Sequence, residues 1–403
     1  MKITIIANFP SYLDGGMSKG RFLYLGEMLY EHGHEVEMIV SDFEHGTKTF
    51  RKKGSIKQEA YNTKITVLHE PGYPDNISLK RLWSHYRWGK NVRQYLDANE
   101  KPDVVYCAIP SLTASVKAAK YCKKNGVKFV VDVQDLWPEA FVMAVRNKFL
   151  QKAFAPIAWY INNAYSDADL VVAVSETYVN RALSVNKKGA RGLSVYLGND
   201  GAIFDEAKDS RIDQKQEGEL RLCYVGSLSY SYDLKCAIDG IYIYNKEQGL
   251  PPLKFLVMGG GPLLKEFELY AQEKGVNAVF TGLLSYPEMV ARMCNCDIVI
   301  NPIVIGSAAS IINKVGDYAM SGLPVINTQE SLEYRKLVES YNCGINCRVG
   351  NAEEVASALI ILAKDSELRK RMGANSRRLG KDKFDRRHTY HDIVDSIELI
   401  YNS

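Results

Sequence analysis

NPIVIGSAASIINKVGDYAMSGLPVIN, residues 301–327, runs strand, loop, helix, turn and strand. The apolar run Ile298 to Ile300 feeds into it, and Gly306 to Ser310 form a loop of small residues. A helix carrying Lys314 and Asp317 follows, then Ser321-Gly322 and Pro324-Val-Ile. Small residues let a backbone approach a ligand, and a helix N-terminus presents unpaired N–H groups that favour an anion. Lys314 adds positive charge, and Asp317, at i+3 on the same face, adds an acceptor. Phosphate below and hydroxyls above would suit a nucleotide sugar. One more βαβ unit with a solvated charged pair reads equally well, and this segment alone leaves both open.

Working outward, the same alternation fills the second half of the chain. Leu220 to Val225, Lys254 to Met258, Ala278 to Thr281 and Ile298 to Ile300 read as strands, and they run into Gly226, Gly259 to Gly261, Gly282 and Gly306. The first half repeats the pattern with Lys2 to Ala7, Gly33 to Val40, Lys64 to Leu68, Asp103 to Tyr106, Lys128 to Val133 and Asp169 to Val174. Strand and helix in alternation predict doubly wound parallel sheets. Glu206 to Glu219 is charged and almost free of apolar residues, so it reads as a linker between halves of about 200 residues each. The domains are expected at 1–200 and 201–384, with a last helix at about 385–403 packing back on the first.

The 403 residues are 46% hydrophobic and 24% charged, ordinary for a globular protein, and a net charge of +4 gives no reason to expect a nucleic-acid partner. The eight cysteines show no C-x-x-C pair and no metal spacing, which suits a reducing cytoplasm. MKITIIANF reads as a first strand rather than a signal peptide, and no apolar run reaches about 18 residues. Walker A, zinc-ligand and Gly-x-Ser-x-Gly patterns are absent from the sequence, which argues against P-loop, metallohydrolase and serine-esterase chemistry.

Three further segments carry candidate chemistry. Gly15-Gly16 lies between the first strand and the helix from about Arg21, a phosphate-cradling arrangement that also reads as a plain loop. Residues 78–96 interleave Lys80, Arg81, Arg87, Lys90 and Arg93 with Trp83, Tyr86 and Trp88. Aromatic bodies with cationic tips suit a membrane surface, and an amphipathic helix packing inward is the alternative. Lys148 to Ile161 is a second apolar-basic run. Gln134-Asp135 closes a buried strand at the edge where open α/β sheets bind ligands, with Glu139 in the following turn. Asp135 would accept a proton or fix a sugar hydroxyl, or else cap the next helix.

Gly15-Gly16, Gln134-Asp-Leu-Trp-Pro138, Tyr224-Val-Gly-Ser-Leu228, Met258-Gly-Gly-Gly-Pro262, Thr281-Gly282 and Asn313-Lys-Val-Gly-Asp-Tyr-Ala319 occur in one order along nearly the whole chain. Together they resemble the retaining family-4 ("group 1") glycosyltransferases of bacterial capsule and O-antigen assembly. The resemblance implies a GT-B fold, two Rossmann-like doubly wound domains facing a cleft. It implies an acceptor-binding first domain and a second that holds a nucleoside diphosphate sugar, with UDP the expected nucleotide. By position, Asp317 matches the glutamate that holds the ribose, Lys314 a lysine neutralising the donor phosphates, and Gly15 and Gly16 the loop whose amides touch the diphosphate. Gly226, Ser227 and Ser310 fall on the donor side, and Gly261, Pro262 and Leu284 border the base. Gln134, Asp135 and Glu139 fall toward the acceptor, with Asp135 and Lys314 as the catalytic pair. The sequence departs from the family at Ala309 and Gln134, where glutamate and histidine are usual, and near Ser227 and Tyr232, where an arginine and a lysine are usual. Donor phosphates would then rely on Lys314 and backbone amides, with Lys19 or Arg21 in support. The resemblance further implies no metal or other cofactor, a glycan or polyprenyl-diphosphate-linked acceptor, and a site of action in the cytoplasm at the inner face of the plasma membrane. A nucleotide-sugar 2-epimerase of the same fold and a catalytically degenerate partner subunit are the alternatives.

Overall fold

The computed structural model describes residues 1–10, 13–15, 19–52, 54–76, 78–110, 112–136, 155–208, 215–306 and 311–403. They form two compact units, Met1–Val195 with Tyr390–Ser403, and Tyr196–Thr389.

The first unit holds β1 (Lys2–Ala7), β2 (Glu35–Ser41), β3 (Phe43–Glu44), β4 (Thr49–Phe50), β5 (Lys64–Leu68), β6 (Val104–Ile109), β7 (Lys128–Val133), β8 (Leu170–Ala173) and β9 (Arg191–Ser194). Seven of these make one sheet in the order β5-β2-β1-β6-β7-β8-β9, while β3 and β4 form a short antiparallel pair. Every ladder of the large sheet is parallel, from β1–β2 to β8–β9. β6 is buried along its whole length, as a strand covered on both faces must be. One face packs on Trp88, Val92, Ala118 and Ile161; the other packs on Leu25, Leu29, Ile393, Val394 and Ile397.

The second unit holds β10 (Leu220–Val225), β11 (Leu253–Met258), β12 (Ala278–Gly282), β13 (Ile298–Asn301), β14 (Val325–Asn327) and β15 (Gly344–Asn346). Their order, β12-β11-β10-β13-β14-β15, reverses direction between β10 and β13. In such sheets that reversal, at the carboxyl ends of the strands, is where ligands bind. At the carboxyl ends of β13, β14 and β15, Asn301, Asn327 and Asn346 stand in register and form an amide ladder, buried at Asn301 and Asn327, with hydrogen bonds of 3.0 and 2.8 Å.

Two segments differ from the sequence reading. The run read as a linker from Glu206 begins inside a helix, Gly201–Lys208, because Phe204 and Ala207 bury themselves in the second unit. The chain crosses back at Tyr390 rather than near 385. Asn199 holds the earlier residues: its N–H donates to the Phe384 carbonyl at 2.7 Å and its carbonyl accepts from Arg386 at 3.0 Å.

Candidate functional site

The site lies where β10 and β13 part. The helix Lys314–Ser321 starts beside that point and stops at Gly322, whose φ of +72° gives a left-handed cap. Tyr318 fixes the helix against β10: its hydroxyl accepts from the Val225 N–H at 2.9 Å and donates to the Val225 carbonyl at 3.3 Å. Lys314, one turn back on the same face, is thereby aimed at the end of β10. Its Nζ lies 4.0 Å from the Tyr224 ring centre and 3.8 Å from that of Tyr232. Lys314 is buried, and among the described residues Nζ has no hydrogen-bond partner. The loop bearing Tyr232 is tied down by Asp233 N–H to the Pro302 carbonyl (3.2 Å) and Val304 N–H to the Ser231 carbonyl (3.2 Å).

Stripping an ammonium of water costs several kcal/mol. Two desolvated cation–π contacts return about 2 kcal/mol each and satisfy none of its N–H donors. Burial wins, and it holds the Lys314 amine well below its usual value. Burial also pushes both phenols up, so Tyr224 and Tyr232 stay neutral. An anion placed beside Nζ would reverse the balance for the lysine.

Asp317 lies in the first turn of the same helix. Its Oδ1 accepts from Asn199 Nδ2 at 2.8 Å and from the Tyr286 hydroxyl at 2.9 Å. Burial raises its carboxyl to about 6, against the opposing effects of Tyr286, Arg386 and Asn199. Some of its surface stays open, and Oδ2 is left to accept from a ligand hydroxyl.

The glycines at the strand ends have a structural explanation of their own. A Cβ on Gly259 would meet the Gly226 carbonyl at 1.9 Å, and one on Gly261 would meet the Leu228 carbonyl at 2.3 Å. Gly226 is different, since a Cβ there would sit 3.1 Å from Lys314 Nζ, in the space beside the amine. The Ser227 carbonyl accepts from the Tyr224 hydroxyl at 2.7 Å. Pro262 is exposed. Leu284 is half-buried against the core below, whereas Leu283 is 86% exposed and lies next to Gly260. Ser310 lies outside the described residues.

In the first unit, Gly15 has a φ of +83° and its N–H donates to the Tyr61 hydroxyl at 2.7 Å, so this amide is already engaged. Gly16 and Glu139 lie outside the described residues, as do Trp137 and 148–154. Arg21 is corrected from a phosphate ligand to a structural residue: it is buried, its Nε donates to Asp132 at 2.7 Å, and Nη1 donates to the Val195 carbonyl at 3.0 Å. Lys19 lies 3.8 Å from Glu27. Gln134 Nε2 donates to Asp132 at 2.7 Å, which turns its carbonyl oxygen away from that carboxylate. Asp135 is exposed, yet enough protein surrounds it to raise its carboxyl, with the Arg81 charge opposing.

The sequence reading named Tyr224 only within a motif and Tyr232 only as a departure from the family, gave neither a role, and did not single out Tyr286 or Asn199. Asn199 has a signal, the Gly-Asn-Asp-Gly turn after the first unit. The tyrosines have none, because aromatic residues near strand ends are ordinary core. A second group at the carboxyl ends of β1, β2 and β5 was also missed. Phe9 lies 4.7 Å from His45 and 5.8 Å from His85, and Arg81 donates to His85 Nε2 at 3.3 Å. Among the described residues no cluster of His, Cys, Asp or Glu is arranged to hold a metal. A cavity of about 460 Å³ lined by Lys215, Glu219, Asp297 and Arg369 opens at the amino ends of the strands, away from the site.

The family described as Glycosyltransferase Family 4 matches residues 21–188, and that described as Glycosyl transferases group 1 matches residues 205–379. An uncharacterised glycosyltransferase of Methanocaldococcus jannaschii is 24% identical over 59% of this chain and 60% of its own length. The O-antigen chain mannosyltransferase C of Escherichia coli is 24% identical over 64% of this chain and 66% of its own. The chain thus spans less than two thirds of both curated relatives. Among solved structures, Anabaena HepE in complex with UDP-glucose superposes with a TM-score of 0.67 at 16% identity, covering 99% of each chain. WaaG, a glycosyltransferase involved in lipopolysaccharide biosynthesis, superposes with a TM-score of 0.63 at 15% identity, covering 98% of each. At these identities the likeness establishes the fold, which is GT-B.

Proposed function

From the premise that the chain carries a family 4 glycosyltransferase domain followed by a group 1 glycosyltransferase domain, we propose that it transfers a sugar from a nucleoside diphosphate sugar to a glycan acceptor, with retention at the anomeric carbon. The observation that carries this reading is Lys314: a buried amine without a hydrogen-bond partner among the described residues, at the reversal of strand order, with Gly226 close beside it. The leaving diphosphate gathers negative charge as the glycosidic bond breaks, and Lys314 with the N-terminus of its helix stabilises that charge. Asp317 Oδ2 takes the ribose hydroxyls. Leu283 joins Leu284, Gly261 and Pro262 as a candidate for the base. Asp135 positions or deprotonates the acceptor hydroxyl. The charge stabilisation needs no metal.

UDP is the proposed nucleotide and surface-polysaccharide assembly the setting, in keeping with the UDP-glucose complex of HepE and the O-antigen activity in the E. coli relative's name. A polyprenyl-diphosphate-linked acceptor would bring the protein to the inner face of the plasma membrane, and the helix Leu79–Ala98 offers a surface for that contact. The matches to glycosyltransferase families favour transfer over 2-epimerisation. A screen of UDP- and GDP-sugars for hydrolysis or transfer tests the proposal, with Lys314→Met as control. Turnover by the wild type that falls about 100-fold or more in the variant is the expected result. Free epimerised sugar would establish the epimerase instead, and a chain that binds no nucleotide the partner subunit.

A further inference from the structure

We propose that Tyr224 and Tyr232 are positioning residues that hold Lys314 as a neutral amine in the free protein, and that its Nζ takes up a proton as a nucleoside diphosphate docks at the end of β10. The inference rests on the donor-site reading above and adds to it a change of protonation. Nζ lies 3.8–4.0 Å from two ring centres and makes no hydrogen bond among the described residues, so an ammonium there would leave its N–H donors unsatisfied by them. An amine with one lone pair fits that cage at lower cost.

Among the described residues, the groups facing the lysine supply no compensating charge. β10 contributes Tyr224 and the following loop Tyr232, both neutral phenols. On its own helix, Tyr318 is engaged with Val225, and Asp317 with Asn199 and Tyr286. Asp233 caps the next helix by accepting from Cys236 N–H at 3.1 Å. Burial alone acts on the lysine. A diphosphate arriving beside Gly226 would be its first anionic neighbour among the described residues. The Nζ lone pair then accepts a proton from solvent, one N–H bond forms, and nothing is oxidised or reduced. The charge is created where and when the phosphate is present.

Titration calorimetry of the full chain with UDP at pH 8, repeated in phosphate and in Tris, tests this. The two buffers differ in ionisation heat, so the difference in observed heat counts protons. The wild type should take up close to about one proton per UDP, and its Kd should rise about tenfold per pH unit above the free-state midpoint. Lys314→Arg, always charged, should take up none. Tyr232→Phe should keep the uptake. Tyr232→Ala, which opens the cage to water, should lose it while still binding UDP. Equal uptake in the wild type and Lys314→Arg would overturn the inference and leave the donor site standing. Failure of both UDP and GDP to bind would overturn both.

Discussion

At Asp317 the fold and the site make opposing demands. The folded carboxyl holds its proton to about pH 6, against 3.8 for the ordinary group. Between those values the folded state binds more protons than the unfolded one, so stability falls as pH rises through that window. Asp317→Asn keeps an oxygen able to accept from both Asn199 and Tyr286. It should therefore stabilise the protein at pH 7 by roughly 1–3 kcal/mol, at 1.36 kcal/mol per unit, the lower end allowing for its solvent-facing side. Chemical denaturation at pH 4 and pH 7 measures this: the two proteins should differ little at pH 4 and diverge at pH 7. Loss of stability in the variant at pH 7 would show that the carboxylate is held as a favourable anion. The spacing of Lys314 and Asp317 on one helix face was legible in the sequence. Their partners were not, because Tyr232 and Tyr286 reach them from other crossovers, and only the completed strand order brings those loops together.

Among elements, the helix Leu79–Ala98 shows where a residue count misleads. Arg81, His85, Trp88, Val92 and Leu96 recur at three- and four-residue steps and are buried. Trp88 is 0% exposed, which corrects its reading as a membrane-facing residue. Trp83 and Tyr86 face out at 56% and 46%, with Arg87 over the Trp83 ring at 5.7 Å and Lys117 over Tyr86 at 4.5 Å. Trp159, on the helix Ala155–Ser166, is 71% exposed. The periodicity needed to separate the two tryptophans was present in the sequence, since five residues carry a side chain well round a helix. Trp83→Ser with Trp159→Ser should lower partitioning onto anionic liposomes severalfold without loss of folding. Unchanged sedimentation of that double variant would remove the membrane role. Trp88→Ser, by contrast, should cost about 3 kcal/mol or more by opening a core cavity.

For the whole molecule, the sheet architecture was the most legible feature. Continuous apolar runs such as Val104–Ile109 admit little besides a strand covered on both faces. Glycines after the strands marked the edge that matters, although Gly259 and Gly261 are required by neighbouring carbonyls whether or not a ligand binds. The point where the chain returns was harder to read, because the bonds joining Asn199 to Phe384 and Arg386 link segments far apart in sequence.

That return has a consequence for biosynthesis. Tyr390, Ile393, Val394, Ile397 and Ile400 complete the core under the first sheet, and the Tyr390 hydroxyl accepts from buried Arg21 at 3.3 Å. A nascent chain that has emerged only as far as β9 has Leu25 and Leu29 for that face but lacks the helix that completes it until the entire second unit has been translated. The first half is therefore the last to be finished. A fragment ending at Val195 should bind hydrophobic dye and aggregate, and a synthetic peptide spanning 390–403 should suppress both. A fragment that is monomeric and cooperative in melting without the peptide would contradict this order of assembly.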